Sequence, residues 1–237
     1  MRLPEESILQ KRLAAIQQLL AIAAHKSGRE PAAIRLVAAT KSQPPEVLAE
    51  LFALGIRDVG ENRVQEAAAK REILGSKGIW HFIGHLQKNK ANAAAVLFDW
   101  VQSIDSLPLA QSLSRGATVA GRTISVLIQV NISGERSKFG VTAEGAEAVV
   151  REVNDLPGLE LRGFFTIAPY SDDPQAARPV FAGLRTLRDR IQEKTGYSLP
   201  VLSMGMSHDF PIAIEEGSTM IRIGTALLGP RQTRLSR

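Results

Sequence analysis

No cysteine occurs in the 237 residues, which removes disulfides, thiolate nucleophiles, iron–sulfur clusters and cysteine-ligated zinc, and suits a reducing compartment. Aromatic residues are also scarce. Two tyrosines and two tryptophans offer no stacking platform for single-stranded nucleic acid. The charge excess is small, 29 basic against 24 acidic residues for a net +5, and the closing Arg231–Arg237 stretch supplies three of the arginines. A solvated basic tail is expected there rather than a nucleic-acid site. Long hydrophobic runs are missing, so no membrane span is expected. The opening Met1-Arg2-Leu3-Pro4-Glu5-Glu6 turns acidic at once and lacks the apolar core of a signal peptide. These absences together predict a cytoplasmic protein with neither a nucleic-acid nor a membrane partner.

What is present is an apolar fraction of 44%, enough for one sizeable core. Short apolar runs alternate regularly with helical patterns, the signature of βα units. Leu9, Leu13, Ile16 and Leu20 mark an opening helix within residues 1–30. Eight strands follow, near Ile34–Thr40, Ile56–Gly60, Ile79–Gly84, Trp100–Ile104, Ile124–Asn131, Leu159–Thr166, Pro200–Met204 and Met220–Gly224. The helices between them carry recognisable punctuation. Pro44-Pro45 opens one over Val47, Leu48, Leu51 and Leu54, which Gly55 closes. Thr142 is placed to cap another over Ala146, Val149, Val150 and Val153, and Val180, Leu184, Leu187 and Ile191 mark a third ending before Gly196. The economical closure is an α/β fold, a (β/α)8 TIM barrel forming a single domain over residues 1–237 with an extra N-terminal helix. An open doubly wound sheet accounts for fewer of the strands.

In such a barrel the chemistry gathers at the carboxyl ends of the strands. Lys41 closes the run Ile34–Thr40, and alternation places it on one face with Val37 and Ala39. Two readings stand: a lysine that snorkels into the loop, or an amine whose charged form is disfavoured by burial and which condenses with a carbonyl. Ser203 lies at the end of the seventh strand with Gly205 and Ser207 after it, and Gly224 and Thr225 stand at the end of the eighth. Loops after these two strands commonly form a phosphate site in barrels. Ser207 and Asp209 also precede a helix over Phe210–Glu216, whose start would offer backbone donors to an anion; an ordinary serine cap and a packing glycine are the plain alternative. Arg222, between Ile221 and Ile223, must find an acceptor, either a buried carboxylate or the pyridine nitrogen of a cofactor.

Several ordered segments carry a resemblance. Val37-Ala38-Ala39-Thr40-Lys41, Gly60-Glu61-Asn62-Arg63-Val64-Gln65-Glu66, His81–Lys90, Val130-Asn131-Ile132-Ser133, Lys138-Phe139-Gly140, Leu202–Ser207 and Arg222-Ile223-Gly224-Thr225 closely resemble the pyridoxal phosphate homeostasis proteins, the YggS-like or proline synthase co-transcribed family. The resemblance implies a barrel similar to the N-terminal domain of alanine racemase, with pyridoxal 5′-phosphate (PLP) held as an aldimine on Lys41. It further places Asn62 beside the ring, Arg222 near the pyridine nitrogen, and Ser203, Ser207, Gly224 and Thr225 around the phosphate, where Gly205 lets the backbone approach closely. The sequence departs from that pattern at Arg63, where tyrosine is frequent, and at Phe165, where methionine is common.

An arginine at the pyridine nitrogen weakens the ring as an electron sink, and racemisation needs an acid and a base on opposite faces of the substrate carbon. In the alanine racemases a tyrosine from an added C-terminal domain supplies the second group, and the sequence ends shortly after its phosphate loop. The expected function is therefore a monomeric PLP carrier or regulator without robust catalysis, with PLP-dependent apo-enzymes as partners. A weak amino-acid racemase is the first alternative. A metal-dependent hydrolase built on His81 and His85 is the second, and no metal is expected because no third ligand stands at matching spacing.

Overall fold

The computed structural model describes residues 7–135 and 137–230. The readings of the first six residues and of the 231–237 tail fall outside them. Eight parallel strands close in chain order into a barrel, β8 pairing with β1. They are β1 (Arg35–Ala39), β2 (Asp58–Glu61), β3 (Ile79–Phe82), β4 (Trp100–Ile104), β5 (Ile124–Gln129), β6 (Leu159–Phe165), β7 (Val201–Ser203) and β8 (Met220–Ile223). The (β/α)8 expectation is borne out, although most of the expected strands lose one or two residues at an end. Helix α1 (Ile8–Lys26) precedes the barrel, and α2 (Pro45–Ala53), α3 (Val64–Leu74), α4 (Ala91–Leu97), α5 (Leu107–Val119), α6 (Ala146–Asn154), α7 (Arg178–Thr195), α8 (Phe210–Glu215) and α9 (Thr225–Leu228) follow the successive strands.

Helix α1 starts at a capping box in which the Ser7 hydroxyl accepts from Gln10 N and the Gln10 side chain accepts from Ser7 N. Its Leu9, Leu13, Ile16 and Leu20 are buried, the stripe read from the spacing, and they pack on Ile221, Ile223 and Leu227. Because α9 has four residues, α1 does the covering that a longer last helix would do outside β8 and β1. Thr142 lies upstream of α6, where its hydroxyl accepts from Gly145 N, so it starts the turn rather than capping the helix.

Three apolar clusters divide the interior. The largest lies between strands and helices, the second lies under α1, and a small third fills the barrel axis with Val37, Trp100, Leu127, Phe165 and Met220. The inward residues of each strand thus form packed layers, and the space above them is the barrel mouth.

Candidate functional site

The sites read from the sequence fall on or just after β7, β8, β1 and β2, four adjacent strands that make up one half of the barrel. Alternation correctly assigns Arg222. Ile221 and Ile223 face the α1 cluster, while Arg222 points into the barrel and is 4% exposed. Its Nη1 donates to Ser203 Oγ at 2.8 Å, its Nη2 donates to the Thr166 carbonyl at 2.9 Å, and its guanidinium carbon lies 4.2 Å from the Phe165 ring centroid. Among the described residues no carboxylate lies within ion-pair distance of it. Burial pushes its pKa down to about 10, against the opposing field of Asp209, so the guanidinium stays charged at neutral pH.

A hydrogen-bonded line continues from Arg222 down the barrel axis. The Ser203 hydroxyl accepts from Arg222 and donates to Gln102 Oε1 at 2.6 Å; the Gln102 amide nitrogen then meets His81 Nδ1 at 2.9 Å. Nδ1 must therefore be the acceptor, which leaves the proton on Nε2, 2.8 Å from Asp58 Oδ1. Every donor points the same way, from cation to carboxylate. The line fixes the guanidinium, the amide and the imidazole tautomer together.

His81 is consequently not half of a metal pair. It is fully buried on β3, whereas His85 lies beyond the strand end, 3.1 Å from Asp105 and stacked on Phe139 at 3.7 Å. The two would share a strand face only if the strand ran on between them, and β3 stops at Phe82. Burial lowers the His81 pKa below 6.5, overriding Asp58. Above pH 6.5 both folded and unfolded chains keep this ring neutral. Below it the unfolded chain takes up a proton that the folded one refuses, so stability falls by up to about 1.4 kcal/mol per pH unit until the lowered native value is passed. Urea unfolding of wild type and His81→Gln at several pH values between neutral and mildly acidic should show this slope in the wild type and a shallower one in the variant.

Lys41 stands differently from expectation. The strand ends at Ala39, and Lys41 is half-buried in the turn that follows rather than held on the strand face. Across β8, a side chain at Gly224 would point to within 3.6 Å of Ala39 Cβ, so the phosphate-type loop and the strand bearing Lys41 converge. Ser207 Oγ accepts from Gly224 N and Ala226 N, both at 3.2 Å, and Thr225 is exposed between these two donors. Gly205 has φ +94°, and its carbonyl takes Arg222 N at 3.0 Å; a Cβ there would strike Ala213 at 2.6 Å.

At the start of α8, where donors to an anion were expected, the first polar groups have partners within the chain. Asp209 N and Phe210 N both bond the Met206 carbonyl, and Asp209 Oδ1 accepts Met206 N, so these groups are already engaged. In the β8–α9 loop the Gly224 and Ala226 N–H groups are likewise engaged, by the Ser207 hydroxyl, a side chain that can give way to a ligand. Asn62 follows β2, and its Oδ1 is buried without a protein hydrogen bond, the kind of atom that a polar ligand satisfies. Buried cation, amine, hydroxyl-lined donor loop and unsatisfied amide fit the nitrogen, aldehyde, phosphate and hydroxyl of a pyridoxal phosphate.

The alanine racemase N-terminal domain family matches residues 12–232. A protein of Aquifex aeolicus named pyridoxal phosphate homeostasis protein is 40% identical over 223 residues, 94% of this chain and 98% of its own. The chain belongs to the pyridoxal phosphate homeostasis family. Two structures of PipY from Synechococcus elongatus lie close to this family member: one without PLP superposes with a TM-score of 0.85 at 36% identity, covering 94% of this chain and all of that one. The other, with PLP bound, gives 0.83 at 35% identity, covering 93% and 100%. The family resemblance read from the motifs is thereby borne out.

Sequence reasoning passed over Lys70, Gln102 and Asp58. Lys70 had a signal: Val64, Ala67 and Lys70 lie at three-residue spacing on the buried face of α3. Gln102 and Asp58 had little, since a single polar residue on a strand says nothing of its partner.

Proposed function

We propose that this chain binds pyridoxal 5′-phosphate at the β7–β8–β1–β2 side of the barrel mouth and holds it through a reversible covalent link to the Lys41 amine, as a cofactor reservoir rather than a robust catalyst. The observation that carries the reading is Arg222, a buried cation with neutral partners in the same mouth as a lysine. When bound, the group supplies an aldehyde that condenses reversibly with amines. Lys41 provides that amine. Ser207 Oγ and the N–H groups of Gly224 and Ala226 hold the phosphate, with Thr225 beside them, and Ser203 and Gly205 keep Arg222 in place. Asn62 meets the ring hydroxyl. A guanidinium that stays protonated cannot accept the ring nitrogen's proton, and its charge disfavours protonation of that nitrogen, which weakens carbanion chemistry.

Incubation with PLP followed by borohydride reduction should label the peptide containing Lys41. Lys41→Ala should lose this label by roughly tenfold or more, the advantage of an oriented amine over surface lysines. A label spread over other lysines, with Lys41 untouched, overturns the assignment. Delivery of PLP to apo-enzymes by a monomer in the cytoplasm extends the same reading; reactivation of an apo-enzyme by the loaded protein faster than by free PLP tests it.

A further inference from the structure

The turn that carries Lys41 is held from both sides by a buried ionic cluster. Ser42 has φ +64°, the one non-glycine residue in the left-handed region among the described residues. Such a conformation is unfavourable for serine and persists only where surrounding bonds over-determine it. Here Ser42 N donates to Glu66 Oε1 at 2.5 Å. On the other side of Lys41, the Thr40 hydroxyl donates to Glu61 Oε1 at 2.6 Å and the Thr40 carbonyl accepts from Lys70 Nζ at 2.8 Å. Lys70 Nζ also lies 2.7 Å from both Glu61 Oε1 and Glu66 Oε1, so its three donors are all committed. Thr40, Glu61 and Lys70 are buried. Burial raises the Glu61 carboxyl above its ordinary value, against the pull of Lys70. The peptide units before and after Lys41 thus belong to one network supplied by β2 and α3.

From this geometry we infer that Glu61, Glu66 and Lys70 are positioning residues for Lys41, fixing the turn so that its amine meets an aldehyde seated in the β7–β8 cradle. The inference rests on the binding mode proposed above. Lys70 itself is withheld from the reaction, because it is buried and its ammonium is bonded to two carboxylates and a carbonyl. Strain at Ser42 is the trace of this arrangement: the backbone there takes a conformation that the cluster imposes and serine alone would leave.

The test compares two aldehydes on the purified full chain, well below its melting temperature. PLP capture at Lys41 needs the amine oriented toward the cradle; reductive methylation by formaldehyde needs only an exposed, basic amine. In Lys70→Met, and in Glu66→Gln, PLP labelling of Lys41 after reduction should slow by about tenfold relative to surface lysines. Formaldehyde labelling of Lys41 should stay within about twofold of wild type, since orientation and not reactivity has been lost. Adding Ser42→Gly to Glu66→Gln should recover most of the PLP rate, because glycine adopts positive φ without help.

PLP labelling unchanged in variants that have lost stability would mean that the cluster only ties α3 to the barrel, and would overturn the inference. Parallel loss of both labels would overturn it too, showing a change in the amine's exposure or basicity. If Lys70→Met does not fold, the Glu66→Gln and Ser42→Gly pair decides. Failure of the wild type to label at Lys41 would instead refute the binding mode itself, and the inference with it.

Discussion

Exchanging Arg222 for glutamate is expected to destabilise the chain by about 3–5 kcal/mol, the range for a buried charge stripped of its compensation. The new carboxylate would face the Thr166 carbonyl, an acceptor, and would lie in the field of Asp209, which already acts on this position. Contact with the Phe165 ring would change from a favourable cation over the π face to an anion over it. Arg222→Met keeps much of the volume and removes the charge, so its loss should be smaller, roughly 1–3 kcal/mol, for leaving the Thr166 carbonyl unsatisfied. Urea unfolding of the cofactor-free variants measures both.

The same pair separates the electronic role of Arg222 from its structural one. With PLP bound, Arg222→Glu should raise the proton affinity of the ring nitrogen, by placing an anion where a cation stood, and shift the visible absorption; Arg222→Met should shift it less. An unchanged spectrum in both, accompanied by lost stability, would reduce Arg222 to a structural group. Because Ser203 then lacks its donor, the line through Gln102 to His81 should loosen in either variant, and the His81-dependent acid slope should fall with it.

The barrel was legible because its signals are local and repeated. Strand runs bounded by Gly and Pro, Pro44-Pro45 before α2 and the Leu9–Leu20 stripe each name an element without needing its neighbours. The inward aim of Arg222 was legible for the same reason, since its two isoleucine neighbours define the outer face. The Lys41 position was only half so. Alternation predicted its face, but the strand ends two residues earlier, where Thr40 and Ser42 are captured by Glu61 and Glu66, residues about twenty positions downstream. Asp58, His81, Gln102 and Ser203 come from four different strands, and no spacing in one dimension announces that they touch. The part played by Ser207 was not legible either: its position suggested an N-cap of α8, whereas in the fold its hydroxyl accepts from the β8–α9 loop.

Gly163→Ala should be the most damaging single methyl in the chain, costing about 3 kcal/mol or more. Gly163 has φ +144°, and an added Cβ would lie 2.0 Å from the Val201 carbonyl oxygen and 2.9 Å from its carbon, backbone atoms that cannot step aside. The position matters because the β5–β6 register slips there: Val126 pairs with Leu161, but Leu127 pairs with Gly163. One extra residue on β6 reverses the phase of alternation. Without it, the outward face of Leu161 would predict Phe165 outward as well. With it, Phe164 joins the outer cluster and Phe165 enters the barrel axis beneath Arg222. A variant forced to surrender the bulge must therefore choose between breaking the β6–β7 ladder and turning Phe165 out of the mouth. Either choice removes the floor under the guanidinium, so the alanine variant should lose PLP labelling at Lys41 along with its stability, while Gly121→Ala, at an exposed glycine of similar backbone sign with nothing within 4 Å, should lose much less of either. Thermal unfolding together with borohydride labelling of the two variants checks the contrast, and equal losses would show that backbone sign alone, rather than the bulge and its ring, sets the effect.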